Sequence, residues 1–177
     1  MRQAFYVAHI VCCLYVITGL SGCKKEFIYN TTGIYLQNYD NSGSYMIPAG
    51  SAVNGDAFVL RLMYTSDLTD YYSVDDNNDY HSDNNPTSIS INCLQNFDSL
   101  HPANSSVADC FINGPGTTSV QNVVDYFYNT QNYYPTHEPD DLWLMKAPAA
   151  PGTYSFVVRM VFDNGLITTD TSTVNLN

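Results

Sequence analysis

The sequence predicts an all-β sandwich of about seven strands, on two observations. Tyr, Asn, Asp, Ser and Thr are abundant while Lys and Glu are scarce, a composition that disfavours long helices and favours strands joined by turns. Several short apolar runs also alternate with period two and end at Gly, Asn, Asp or Pro, the punctuation of strands joined by tight turns.

The clearest element lies at the carboxyl end, in APGTYSFVVRMVFDNGLITTDTSTVNLN. Tyr154, Phe156, Val158, Met160 and Phe162 fall at every second position and so share one face of a strand. Asp163-Asn164-Gly165 supplies a tight turn, because Asn and Gly tolerate positive φ, and a Thr-rich strand returns from Leu166 to Leu176. In DAFVLRLMYT both alternating faces are mostly apolar, which predicts a central strand. TSISINCL places Ile89, Ile91 and Cys93 on one face; DLWLMK is a short strand before a Pro-rich bend; GIYLQNYDNSGSYMI reads as an early hairpin around Asn41-Ser42-Gly43. In SVQNVVDYFYN, Val120, Val123, Val124 and Phe127 fit a helical stripe while Tyr126 and Tyr128 fit a strand; the stripe predicts one short helix.

The amino terminus predicts an address. Arg2 precedes an apolar run from Ala4 to Ile17, too short for a membrane span, and small residues follow it, the pattern of a secretory signal peptide. Leu20-Ser21-Gly22-Cys23 resembles the bacterial lipobox. That resemblance implies cleavage before Cys23 and a diacylglyceryl group on its thiol, hence a membrane anchor of at least two acyl chains, enough for a stable hold. The expected organisation is a signal peptide over 1–22, a lipidated tether over 23–32 and one sandwich domain over 33–177. Lys24 stands where inner-membrane retention favours Asp, so the expected location is the outer membrane of the cell envelope, facing either periplasm or medium.

Charge excludes one class of partner. The formal net charge is −11, and loss of Arg2 with the leader makes it −12. Between Arg61 and Lys146 there is no Lys or Arg but there are twelve acidic residues, a surface that repels phosphate backbones, so no nucleic-acid partner is expected.

Cys12 and Cys13 leave with the leader and Cys23 is spoken for. Cys93 and Cys110 remain as an even pair in an oxidising compartment, and a disulfide between them is expected, with two buried thiols as the rival.

PGTYSFVVRMVFDNG looks like the last two strands of immunoglobulin-like domains, where a tyrosine hydroxyl bonds back to the backbone at a corner, a role open to Tyr154. Phe156 stands where that family carries cysteine, so a Cys93–Cys110 bridge would be of another kind. Together with the lipobox and SISINCLQNFDSLHPANSSVADCF, this hairpin resembles small Bacteroidetes lipoproteins with a domain of unknown function. The resemblance implies an immunoglobulin-like sandwich on the envelope and carries no activity.

Candidate chemistry is sparse. Asp75, Asn77, Asp79 and Asp83 are candidate calcium ligands, although Tyr80 replaces the turn glycine of an EF-hand and Pro86 its bidentate Glu; a solvated acidic loop is the stronger reading, and no other cofactor is expected. His81, His101 and His137 lack zinc-site spacing, and no G-x-S-x-G nucleophile is present. Asp140 and Asp141 beside His137 imitate an acid–base pair but read as a solvated turn. Asp98-Ser99-Leu100 resembles the O-glycosylation triplet of exported Bacteroidetes proteins. Tyr126, Tyr128, Tyr133, Tyr134 and Trp143 crowd among Asn and Asp, which suits the faces of sugar rings. The expected function is a non-catalytic, lipid-anchored envelope protein presenting loops to a protein partner or the envelope; the alternative is a glycan-binding outer-membrane lipoprotein.

Overall fold

The computed structural model describes residues 26–67, 79–113 and 139–177. They form an all-β sandwich. The strands are β1 (Glu26–Tyr29), β2 (Thr31–Asp40), β3 (Ile47–Pro48), β4 (Phe58–Ser66), β5 (Asp79–Ser82), β6 (Pro86–Cys93), β7 (Ser105–Ser106), β8 (Phe111–Asn113), β9 (Asp140–Leu144), β10 (Gly152–Phe162) and β11 (Ile167–Leu176). Eleven strands among the described residues exceed the seven expected, because short strands β1, β3, β5 and β7 extend the frame. One sheet has the order β3-β2-β4-β9-β8, the other β11-β10-β6-β7, and β1 pairs in parallel with β5. Setting aside β3, the first order is A-B-E-D and the second G-F-C-C′, the strand arrangement of an immunoglobulin-type sandwich.

The alternating faces sort as their periodicity predicts. Tyr154, Phe156, Val158, Met160 and Phe162 of β10 are all buried, facing Phe58, Leu60 and Leu62 of β4. Phe156 sits at the centre, stacked on Phe58 at 5.6 Å and met edge-on by Phe111 at 5.4 Å and Phe97 at 6.3 Å. Such offset and edge-to-face pairs suit the quadrupoles of the rings and add to the burial of their large apolar area. Strand β4 lies between β2 and β9, as its two apolar faces require; even Val59, on the side away from the core, is fully buried. The β10–β11 hairpin runs in register from Gly152↔Leu176 to Val161↔Ile167. Its turn needs Gly165 at φ +85°, a conformation that L side chains rarely adopt.

Two expectations change. The early hairpin is short, pairing only Tyr39↔Pro48 and Asp40↔Ile47, because most of β2 pairs with β4 instead. The domain does not start at residue 33: the segment expected as tether supplies β1 and the start of β2, and Tyr29 and Thr31 are 3% and 2% exposed. The apolar ring of Tyr29 makes burial favourable there. The segment expected to hold a short helix lies outside the described residues.

The chain enters the fold at one end of the sandwich. Thr31 faces Ser66, and the same end holds the 83–85 bend and the Asp163–Gly165 turn, joined where the backbone N–H of Asn85 donates to Asp163 Oδ1 at 3.0 Å. Strand β2 reaches the opposite end at Asp40, which faces Phe58. There the loops over 41–57, 94–104 and 145–151 meet. The N–H of Asn41 closes the first on itself by donating to Ala57 O, and that of Ala149 ties the third to the second by donating to Phe97 O. At Gly55 a Cβ would come within 2.9 Å of Ala147 Cβ, so glycine is what lets these two loops touch.

Candidate functional site

The far end carries a concentration of chemically capable side chains, including the one group among the described residues that could hold a metal ion. The loop after β6 turns back at Asp98, whose Oδ1 accepts the backbone N–H of Leu100 at 2.7 Å and of His101 at 2.9 Å. Asp favours such turns because its carboxylate satisfies N–H groups that a bend leaves without strand partners. The same oxygen lies 2.8 Å from His101 Nδ1, and Oδ2 is paired with Lys146 Nζ from the loop after β9. Lys146, then two backbone N–H groups and the His101 ring, hold the Asp98 carboxyl well below the usual carboxylate range. The ammonium of Lys146 is raised by the same pairing.

The other face of the imidazole meets a second carboxylate. His101 Nε2 lies 3.1 and 3.2 Å from the two oxygens of Asp109. The His101 side chain is 10% exposed, edge-to-face with Phe97 at 6.2 Å, while the Asp109 side chain is 69% exposed. Cys110 follows in a 3-10 turn over Ala108–Cys110 that puts its sulfur into the core, with Sγ 4.0 Å from Asp109 Oδ1. The ligating atoms of His101, Asp109 and Cys110 all lie within 4.8 Å of one another. Burial, and next the charge of Asp109, push the Cys110 thiol up to about 11. Burial likewise raises the Cys93 thiol.

The expected disulfide is absent from this structure: Cys93 and Cys110 are both buried free thiols. Each sulfur is turned to its own neighbour, Cys93 Sγ to Gln95 Oε1 at 3.9 Å and Cys110 Sγ to Asp109.

Most other candidates fall elsewhere. Cys23, Asp75, Asn77, Tyr126, Tyr128, Tyr133, Tyr134 and His137 lie outside the described residues. Asp79 pairs through its backbone with Glu26 in the β1–β5 ladder, and Asp83 is exposed with its N–H donating to Tyr29 O. Trp143 stands on the outer face of the larger sheet, in a row Tyr39–Val59–Trp143–Ile112 across four strands. Its indole Nε1 is buried without a hydrogen-bond partner and Ile112 is 5% exposed, so this stretch is packed rather than open. Asp140 and Asp141 are not a solvated turn. They belong to β9, where Asp140 accepts from Tyr64 Oη at 2.8 Å. Asp141 takes both arms of the Arg61 guanidinium, at 2.7 and 2.9 Å. That guanidinium lies 4.2 Å from the centre of the Tyr39 ring.

Sequence reasoning missed the His101 group because its members share no motif. Asp98, His101, Asp109, Cys110 and Lys146 come from two loops and a turn, brought together by the β6–β10 and β8–β9 pairings. Comparison with protein-family models, curated proteins and solved structures finds no match for this chain. What fold and loops define is a class, an immunoglobulin-type sandwich with a polar cluster built into its far end.

Proposed function

We propose that this chain is a lipid-anchored protein of the cell envelope, held through Cys23, that presents the far-end loops to a protein partner. The observation that carries this reading is the separation of the two ends. The fold takes up the chain at Glu26, three residues after Cys23, so an anchor there sits against the entry end. The opposite end then points away from the lipid, and among the described residues it carries more of the exposed large apolar side chains (Tyr45, Ile47, Leu94, Leu100 and Met145) than the entry end, which has Ile28 and Ile167. Loops at one end of such a sandwich are the usual binding face of this architecture, by analogy of fold. Charge points the same way. The acidic chain disfavours polyanions and leaves neutral or basic protein surfaces as partners.

A photo-crosslinking amino acid placed at Met145, and separately at Asn164 in the entry-end turn, tests this in the producing cell. Crosslinks to one envelope protein from Met145 and none from Asn164, in a membrane fraction that Cys23→Ser empties, are the expected result. Equal labelling from both positions would remove the display role. Membrane retention of Cys23→Ser would remove the anchor.

A further inference from the structure

We propose that His101, Asp109 and Cys110 form a binding site for a divalent transition-metal ion of the zinc type. The site is independent of the anchor and of any partner.

The argument starts from the ring nitrogens. Asp98 Oδ1 lies 2.8 Å from Nδ1 and is a fixed acceptor, held by Lys146 and two backbone N–H groups, so the Nδ1 position carries a proton. In the neutral ring, Nε2 then presents a lone pair. That lone pair faces two carboxylate oxygens at 3.1 and 3.2 Å, an arrangement of acceptor against acceptor. Only a cation between them makes it attractive, either a second ring proton or a metal ion.

Three further features favour the metal. Cys110 Sγ is a third donor, within 4.8 Å of the other two, a spread that closes to bonding distances by movements of about an ångström for ligand bonds of about 2.0–2.3 Å. Nitrogen, oxygen and sulfur together match zinc's borderline softness, whereas calcium and magnesium demand oxygen alone. The Asp98–His101 bond is also the carboxylate brace that metal-bound histidines ordinarily carry, fixing tautomer and ring orientation. Asp109, on the solvent side, gives the ion a path in. On binding, the Cys110 S–H gives its proton to solvent and the thiolate enters the coordination sphere, so affinity rises with pH.

Cobalt(II) is the probe, titrated into the reduced full-length chain. One equivalent should give a thiolate-to-cobalt charge-transfer band and intense visible bands of a four-coordinate ion, both erased by zinc. Cys110→Ser should remove the charge-transfer band, and Cys93→Ser should leave it. Asp109→Ala, at an exposed position that spares the core, should weaken binding at least tenfold. Asp98→Asn, which alters the brace and not a ligand, should cost about 10–100-fold in affinity. The proposal is overturned if no band appears at one equivalent, if the band survives Cys110→Ser, or if Asp109→Ala leaves the cobalt affinity unchanged. It is equally overturned if both nitrogens of His101 keep their protons by NMR in the presence of zinc, or if the native chain carries a Cys93–Cys110 disulfide.

Discussion

Asn84 pairs with Thr31 as a neighbouring strand would. Its side-chain Oδ1 accepts the Thr31 N–H at 2.7 Å and its Nδ2 donates to the Thr31 C=O at 2.9 Å. The residue is wholly buried, in the bend that joins β5 to β6. One side chain therefore satisfies both backbone groups of Thr31 where the main chain is bending elsewhere, and it ties the start of the fold to its middle.

Asn84→Ala should be among the costliest single substitutions in the domain. It leaves a buried N–H and a buried C=O without this partner, at about 1–3 kcal/mol each. Urea unfolding should register a loss of at least about 2 kcal/mol, a large part of the roughly 5–15 kcal/mol available to a domain. Asn84→Asp keeps the acceptor but sets a carboxylate against the Thr31 carbonyl, and should be no better. A loss below about 0.5 kcal/mol for either variant would show that water replaces the amide, contrary to this account.

Asp170 tests how the two sheets are joined. Its Oδ2 accepts the N–H of Leu36 at 2.7 Å, Thr168 Oγ1 that of Ile34 at 3.2 Å, and Ser172 Oγ donates to Asn38 Oδ1 at 2.8 Å. Side chains of β11 thus take the place of a strand along the free edge of β2. An edge covered in this way is closed to pairing with other chains. Asp170→Ala should lower stability by about 1–2 kcal/mol and Asp170→Asn by less, since the amide oxygen still accepts. Faster aggregation at the midpoint of unfolding should accompany the alanine variant alone. Equal stability of all three proteins in chemical denaturation would show that the seam is incidental.

These two cases mark where sequence could be read and where it could not. Strands β6 and β10 were legible because burial follows a period of two, and β4 because its run is apolar on both faces, patterns that a linear chain displays directly. Asn84 and Asp170 were not. The first sits in a run of Asn and Asp that looks like a solvated or ion-holding loop, and the second in a Thr-rich strand with nothing to mark one polar residue from the next. Their roles depend on a partner 53 or 134 residues away. The His101 group was hidden for the same reason, while the count of strands was missed because pairs as short as β3 and β7 have no periodicity to show.

Tyr154 was legible through a resemblance, and its role is now specific. Its hydroxyl donates to Ala150 O at 2.6 Å, four residues upstream, while its ring packs edge-on against Phe97 at 5.8 Å. The bond pins the bend between β9 and β10, and burial raises the phenol above its ordinary value. Tyr154→Phe removes the bond and keeps the ring, so thermal unfolding should report a loss of about 0.5–1.5 kcal/mol. Tyr154→Leu should lose more, because the ring contact goes too. A phenylalanine variant as stable as the parent would reduce the corner to ordinary packing.

The acid side of the stability curve belongs in part to Asp98. Lys146 is the largest cause of its low pKa, ahead of the N–H of Leu100 and the His101 ring. A carboxyl whose folded-state pKa lies below its unfolded value near 3.9 stabilises the fold above that value, and the benefit fades as pH falls towards the folded-state pKa. Lys146→Met removes the ammonium and keeps the stem, so it lets the folded-state pKa climb back towards the unfolded one. The melting temperature of the variant should therefore fall below that of the parent by a constant margin between about pH 5 and 7, and the margin should shrink steadily below about pH 4. Lys146 is half exposed, so added salt at pH 7 should narrow the same gap. A margin that stays constant down to pH 2 would trace the loss to the packing of the lysine stem and not to its charge. In that case Asp98 would owe its low pKa to the backbone N–H groups of Leu100 and His101 and to the His101 ring, and Asp98→Asn should then melt below the parent at pH 7 with the gap closing below about pH 4.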